Sequence, residues 1–455
     1  MNDLGERLPE VRTAVPGPKS EELARRLAAV ESRNITRVEG EAPIFWAAAR
    51  GSNVRDVDGN VYVDLTSGFS VAAAGHANPR VAEAIGRQAS ELAHGLGDVY
   101  PPEVKVRLLE RLVSVAPGAL RECILASAGT GAVGAARRRA VIHTGRRGVI
   151  AVRGGYHGLT YGSLSATWRS DFRDPFRSQL FGGVRFAPYP YSYRWEGPDD
   201  PVAGSLAAVR RHFEEAEGTD APVGAVIVEP IQGRGGIIVP PDGFLEGLRE
   251  LCDAWDAVLI YDEIYTGFGR TGRWFAHEHW GVPPDVMTVG KALTGALPLS
   301  AAIGTQDVMR SWPPSTGEAI HTSTFLGNPI ACAAALAQLE EIESRGLVER
   351  SARMGAWLEE RLASWVERYP VVGEVRGRGM LWGVELVEDR SSRRPATELA
   401  GRVIGGALRR GVLLLGEGPH GNVLAIVPPL VVTESQLEHA LGVVEGELAA
   451  AAASL

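Results

Sequence analysis

Short apolar runs take turns with amphipathic stretches through most of this chain. Strand-like runs fall at 124–126, 148–152, 225–228, 257–261 and 286–289. Around them, apolar residues recur at helical spacing over 81–92, 104–115, 132–144, 205–217 and 245–254. Apolar strands alternating with amphipathic helices predict an α/β fold whose mostly parallel sheet is covered on both faces. Upstream, 1–19 carries Pro9, Pro16, Gly17 and Pro18 and reads as a loose arm, 20–32 as a helix and 61–65 as a strand. The texture changes after residue 330. Two helical stretches, 329–344 and 348–369, precede strand-like 371–375, 381–386, 412–415 and 423–427, and a helical 434–452 follows. The expected organisation is an N-terminal arm with part of a small domain over 1–60, a large domain over 61–330 and a smaller α+β domain over 331–455.

Composition narrows the class. At 455 residues, with 45% hydrophobic and 22% charged residues, the chain is long enough and apolar enough to bury a large core. Its net charge of −8 argues against a general nucleic-acid or anionic-membrane binder, which needs a basic face. No window holds the uninterrupted apolar run of a membrane span, and the polar start Met1-Asn2-Asp3-Leu4-Gly5-Glu6 lacks the apolar core of a signal peptide. The three cysteines, Cys123, Cys252 and Cys332, form no C-x-x-C pair and sit in apolar runs, so buried free thiols and a reducing cytoplasm are expected. Lys19, Lys105 and Lys291 are the only lysines, so each amine needs a reason.

Four short segments could carry chemistry. Lys291 follows the apolar run 286–289, at a strand end where its amine can project into a cleft. A lysine buried there loses its charge readily and becomes the nucleophile a Schiff base requires; taken alone, it is equally a surface residue at a strand exit. Asp262-Glu263 ends the run 257–261, and strand C-termini are where open α/β sheets hold ligands. A carboxylate fixed there could keep a pyridine nitrogen protonated, could join a metal site, or could simply cap a helix; no His cluster with ligand spacing accompanies it. Ala126-Ser127-Ala128-Gly129-Thr130-Gly131 is a small-residue turn between strand and helix, suited to a phosphate or to no ligand at all. In Gly155-Tyr156-His157-Gly158 the aromatic stands just past a strand, placed either to stack on a flat ring or to fill the core. Gly267-Phe268-Gly269-Arg270-Thr271-Gly272 matches a dinucleotide fingerprint, but no helical run follows it, so that reading is set aside.

Taken together, and with further segments, these elements resemble the class III (omega) aminotransferases among the fold type I pyridoxal phosphate enzymes. The likeness spans roughly residues 40–435. It includes Asp58-Gly59-Asn60, Gly75-His76 with Pro79, Glu229-Pro230-Ile231-Gln232-Gly233, Asp262-Glu263 with its glycine-rich tail, Gly290-Lys291, Thr322-Ser323-Thr324-Phe325 with Gly327-Asn328-Pro329, and Arg376-Gly377 with Gly379. The resemblance implies an aspartate aminotransferase-like fold whose large domain binds pyridoxal 5'-phosphate. It implies that Lys291 forms the internal aldimine and moves the substrate proton, that Asp262 pairs with the pyridine nitrogen, and that Tyr156 stacks on the ring beside His157. Gly129 and Thr130 are expected to hold the phosphate, joined by Thr324 of the neighbouring subunit in an obligate homodimer. Gln232 is expected at the ring hydroxyl and Glu229 near the reacting carbon. The implied reaction moves an amino group from a primary amine or omega-amino compound to a 2-oxo acid or aldehyde by a ping-pong route. Racemisation or epimerisation on the same lysine is the alternative. A non-catalytic cofactor-binding protein is a third reading, supported only by the altered phosphate turn.

Two departures stand out. The family's phosphate turn carries two glutamates where this chain has Gly131 and Gly134, and each glycine costs roughly 1 kcal/mol against alanine in a helix interior. The arginines with which many relatives grip a carboxylate are replaced by Leu159 and Ala425. That pattern predicts a substrate with a cationic or apolar tail, with Glu417, His420 and Phe69 as substrate contacts and Glu417 facing the cation. The competing expectation is that Glu417 is a solvated loop acid and another arginine holds the acid.

Overall fold

A computed structural model describes residues 4–37 and 43–453. The first three residues of the polar start, Met1-Asn2-Asp3, lie outside the described residues, as do 38–42 and the last two.

Seven strands form the central sheet, in the order Leu120–Ala126, Ser300–Thr305, Val286–Val289, Val258–Asp262, Val223–Val228, Gly148–Val152 and Val184–Ala187. Only Ser300–Thr305 runs against the rest, pairing antiparallel with both neighbours. The strands read as continuous apolar runs because both faces are covered. Ile150, Val226, Leu259 and Tyr261 enter one core cluster, while Ala151, Ile227, Val258 and Ile260 enter another under the Gly129–Thr144 helix. Each fully buried Val, Leu or Ile contributes about 1.5–3 kcal/mol of transfer free energy.

Two strands of this sheet escape the apolar-run reading. Ser300–Thr305 is built of small residues with weak strand preference, and it is held by pairing on both sides. Val184–Ala187 is a short edge strand carrying Arg185. The helix Thr397–Arg409 also lies beyond the stretches expected to be helical. The arm is not loose over its described part: Glu10 exchanges two backbone hydrogen bonds with Val61. The side chain of Asn53 accepts from the N–H groups of Gly5 and Arg7, and that of Asn60 accepts from Arg12 and Thr13. Buried carboxamides, invisible to hydrophobic patterning, strap the segment down.

Two smaller sheets flank the central one. Trp46–Arg50, Asn53–Asp56, Val61–Asp64 and Val412–Leu413 form the first, which joins the N-terminal and C-terminal parts of the chain. Val372–Arg378, Leu381–Leu386, Val423–Ile426 and Leu415–Glu417 form the second, all antiparallel. Asn78-Pro79 and Asn328-Pro329 start helices in the same way, the Asn side chain accepting from the first free N–H groups and Pro occupying the first turn. Asn78 also donates to Glu341, tying these two helices together.

The glycine-rich loop after Asp262 contains a buried charge. Arg270 is fully buried. Its fork donates to the carbonyls of Met380 and Pro428 and to the hydroxyls of Ser67 and Ser70, and no carboxylate pairs with it among the described residues. Burial alone pushes its guanidinium down to about 10. Arg270→Met, which keeps the stem and removes the fork, is expected to cost about 2–3 kcal/mol, read as a lowered urea midpoint; an unchanged midpoint would show that the fork holds nothing together.

Candidate active site

The candidate residues converge because most of them follow central strands at the same sheet edge. Tyr156 comes after Gly148–Val152, Glu229 after Val223–Val228, Asp262 closes its strand, and Lys291 follows Val286–Val289. The turn Ala126–Gly129 leaves the Leu120–Ala126 strand at that edge. Carboxyl ends of strands are the ligand-binding side of such sheets.

Asp262 is buried, with Oδ2 2.7 Å from Nδ1 of His157. Its Oδ1 accepts from the N–H of Ile264 at 3.1 Å and the hydroxyl of Thr288 at 3.2 Å. Three contacts thus fix the carboxylate plane. His157 in turn donates its backbone N–H to Thr167, and its Nε2 is buried without a partner. Glu263, the other half of the acidic pair, points elsewhere. It accepts from Thr266, from the N–H groups of Ala276 and His277 and meets the His277 ring, so it ties down the following loop.

Lys291 has a left-handed backbone, φ +43°, an uncommon and costly state for a side-chain-bearing residue. Its Nζ lies 4.2 Å from the centroid of the Tyr265 ring. Burial pushes the amine down to about 8, against the opposing charges of Asp262, Glu229 and Glu417. Lys291 as a whole is half-buried, and Glu229 is buried. Its oxygens accept from the N–H groups of Tyr156 at 2.8 Å and Gly233 at 2.9 Å. Burial pushes it up to about 7; the charge of His157 opposes that rise and the charge of Asp262 adds to it.

Gln232 is fully buried and donates to the carbonyl of Arg153 at 2.8 Å, while its Oε1 has no partner among the described residues. A Cβ on Gly154, at φ +84°, would fall 2.5 Å from that oxygen. Tyr156 is half-buried and carries the Arg234 guanidinium 5.1 Å from its ring centroid. Ala128 provides no side-chain cap for the Gly129–Thr144 helix, so the leading N–H groups there have no side-chain acceptor. Ser300 fixes the turn by donating to the Ala128 carbonyl at 2.7 Å. Gly129 packs under Ile264, where a Cβ would come within 2.8 Å, and Gly131 has Ala126 at 3.0 Å; Gly134 faces open space. The Thr130 hydroxyl is shared with Thr160 and Ser163.

The remaining expectations are met unevenly in space. Thr324 is exposed on the loop before Pro329–Ser344, and its hydroxyl makes no hydrogen bond among the described residues. Phe69 is 51% exposed, in a run of left-handed residues from Ser67 to Ser70 that lies against the Lys291–Leu293 turn. His420 is exposed, on the wall of a cavity of about 460 Å³ that reaches Tyr156, Gln232 and Arg234 without touching Lys291 or Asp262. Glu417 is not a solvated loop acid: it is buried, and its nearest cation is Arg234, with Nε 3.9 Å away. Burial raises its carboxyl, opposed by Arg234, Lys291 and Arg169. Thr288, Tyr265, Ser300 and Arg234 were not singled out in the sequence. Thr288 had a signal: it is the one polar residue in the strand Val286–Val289, directly opposite Asp262 in register.

A pyridine cofactor with a phosphate arm and an aldehyde fits these residues. They offer a fixed carboxylate, a lowered amine, an uncapped helix start and an orphaned amide oxygen. The fold and this donor set define a fold type I pyridoxal phosphate enzyme. The chain belongs to the aminotransferase class-III family, whose model matches residues 35–447. It is 36% identical over 416 residues to the acetylornithine aminotransferase of Methanosarcina mazei, covering 91% of this chain and 94% of that one. It is 33% identical over 444 residues to the alanine/serine racemase of Pyrococcus horikoshii, covering 96% and 92%. The omega transaminase of Pseudomonas jessenii, solved in complex with PMP, superposes with a TM-score of 0.88 at 27% identity, covering 94% and 98%. The chain is a pyridoxal phosphate-dependent aminotransferase, working on an amine donor and an oxo acceptor. No helix among the described residues is long and apolar enough to cross a membrane.

With only three lysines, amine reactivity can be read residue by residue in the cofactor-free protein. Acylation at Lys291 is expected to rise with pH through a midpoint near 8. Glu229→Gln removes a negative charge that favours the protonated amine, so the midpoint should move to lower pH. Peptide mass spectrometry across pH checks this, and an unmoved or higher midpoint contradicts it.

Proposed function

We propose that Lys291 and Asp262 are the catalytic pair, with Tyr156, and that the chain moves an amino group from a primary amine or omega-amino compound to an oxo acceptor in two half-reactions. The observation that carries this reading is a half-buried amine lowered to about 8 at the same sheet edge as a carboxylate fixed by three contacts. Pyridoxal phosphate, when bound, supplies an aldehyde that condenses with amines and a ring that takes up the electron pair of a broken Cα–H bond.

The chain's own residues do the rest. Lys291 Nζ, substantially neutral near pH 8, would take the proton from the donor carbon and deliver it across the donor nitrogen, two bonds away. Asp262, oriented by His157, Ile264 and Thr288, keeps a ring nitrogen protonated. Gln232 Oε1 offers an acceptor to a ring hydroxyl. Tyr156 provides a flat face, with its N–H held by Glu229. The helix start at Gly129 and Thr130 receives the phosphate. Glu417, His420 and Phe69 border the substrate. The large domain over 61–330 carries the cofactor residues, and 331–455 forms the smaller domain with part of 1–60.

Thr324 of a second copy completes each phosphate site, which makes the functional unit a homodimer. Its exposed, unbonded hydroxyl supports this. The thiols are free, and burial pushes Cys123 and Cys332 up to about 12, so they are inert; this supports a reducing cytoplasm.

Racemisation is a second reading, favoured by the Pyrococcus relative. The two differ in what a donor does alone: an aminotransferase is left in its amine form, whereas a racemase returns unchanged. An amine donor without acceptor is therefore expected to bleach the visible cofactor band, and a retained band during turnover would favour racemisation. Lys291→Ala is expected to reduce turnover to background, a loss of roughly 10³-fold or more. Mixing Lys291→Ala with Thr324→Ala chains tests the shared site. If Thr324 serves the partner, hybrid dimers hold one intact site and regain activity; if it serves its own chain, no site is whole and activity stays low.

A further inference from the structure

The cavity beside Tyr156 is unusually rich in guanidinium groups. Arg153, Arg169, Arg194, Arg234 and Arg376 reach it, against Glu196 and Glu385. Three of these cations are already answered. Arg194 bonds Glu385 at 2.5 Å. Arg376 bonds Glu374 at 2.8 Å and Glu385 at 2.7 Å. Arg169 grips Asp171 through both Nε and Nη2.

Arg234 and Arg153 are different. No hydrogen bond holds the Arg234 guanidinium among the described residues, its Nε is buried without a partner, and Glu417 stands off at 3.9 Å. Arg153 has no carboxylate in reach among the described residues and lies 5.6 Å from the Trp168 ring centroid. The loop that carries Arg234 is hydrogen-bonded at and after that residue. The Gly418 N–H donates to the Arg234 carbonyl at 3.1 Å, and Arg376 donates to the Gly236 carbonyl. An open guanidinium fork on a fixed loop is prepared for two oxygens in one plane.

The same cavity touches Tyr156 and Gln232, on the border of the reaction centre. Its walls between the arginines are aromatic or apolar, from Trp168, Tyr189 and Ile238. Meanwhile the two positions where relatives carry a gripping arginine hold Leu159 and Ala425, which have no charge to offer.

We propose that this cavity receives the distal carboxylate of the amine donor, bound by the Arg234 fork with Arg153 beside it, so that the anion-gripping role sits on the loop after Gln232. The preferred donors are then omega-amino acids, and Glu417 serves as the standing counter-charge of Arg234 rather than as a receptor for a substrate cation. One open fork and one neighbouring cation match a singly charged, two-oxygen group. This inference rests on the aminotransferase reading above.

The test uses the holoenzyme with straight-chain omega-amino acids, each paired with the n-alkylamine of the same chain length that lacks the carboxylate. The quantity read is the ratio of kcat/KM within each pair, together with bleaching of the cofactor band by donor alone. The wild-type protein is expected to prefer the carboxylate-bearing member. Arg234→Gln is expected to lower the preference ratio by about tenfold or more, mainly through KM. Arg234→Lys should recover part of the ratio, and Arg153→Gln should lower it less. If donors bleach the band in wild type and the ratio is the same in Arg234→Gln, the site is wrong and the aminotransferase reading stands. If the alkylamines are preferred from the outset, the substrate class is wrong. If no amine bleaches the band, the aminotransferase reading fails and takes this inference with it.

Discussion

A half-buried amine set among carboxylates governs this molecule. Taking the Lys291 side chain out of water favours its neutral form, while Asp262, Glu229 and Glu417 favour the charged one. The outcome is an amine near 8, where it takes up and gives up a proton readily. Less burial would favour its charged form, and fewer acids would favour its neutral one. The acids pay in turn, because burial moves Glu229 up to about 7 and raises Glu417.

The scaffold serves to hold that balance. The central strands end together, so Lys291, Asp262 and Glu229 meet although they lie far apart in sequence. Strain is concentrated nearby, in the left-handed backbone of Lys291 and of the Ser67–Ser70 turn against it. Such conformations persist only where their surroundings fix them. Arg270 does so from below, bonding Ser67 and Ser70 on one side and the Met380 and Pro428 carbonyls on the other. One buried fork thereby joins the N-terminal turn, the loop after Asp262 and the C-terminal part of the chain. The glycine-rich stretch that mimics a dinucleotide fingerprint is the frame around this fork, with φ +90° at Gly269 and +85° at Gly272.

Much of this is legible in the sequence. Apolar runs located five of the seven central strands because fully covered strands carry no alternation to blur them. Ser300–Thr305 was hidden by its small residues, and the N-terminal strap by its reliance on Asn53 and Asn60. Lys291 and the acidic pair were legible from strand-end position. That the two acids point to opposite faces of the sheet was readable as well. Strand alternation puts Asp262 on the same side as Val258 and Ile260, over the Gly129–Thr144 helix, and puts Thr288 beside it. The role of Arg234 was not legible. Nothing in Gln232-Gly233-Arg234 says that its fork lacks a hydrogen-bonded partner while Arg169, Arg194 and Arg376 find carboxylates; that depends on residues distant in the sequence. Gly134 faces open space, and nothing in the structure explains its place in the phosphate turn.

The central claim is that Lys291, and neither of the other two lysines, carries the cofactor at the point set by Asp262. Borohydride reduction of the purified holoprotein followed by peptide mass mapping tests it most directly. The account requires a phosphopyridoxyl mass on the peptide containing Lys291, with Asp262→Asn leaving the attachment point unchanged. A modified Lys19 or Lys105, or no covalent adduct at all, would contradict it.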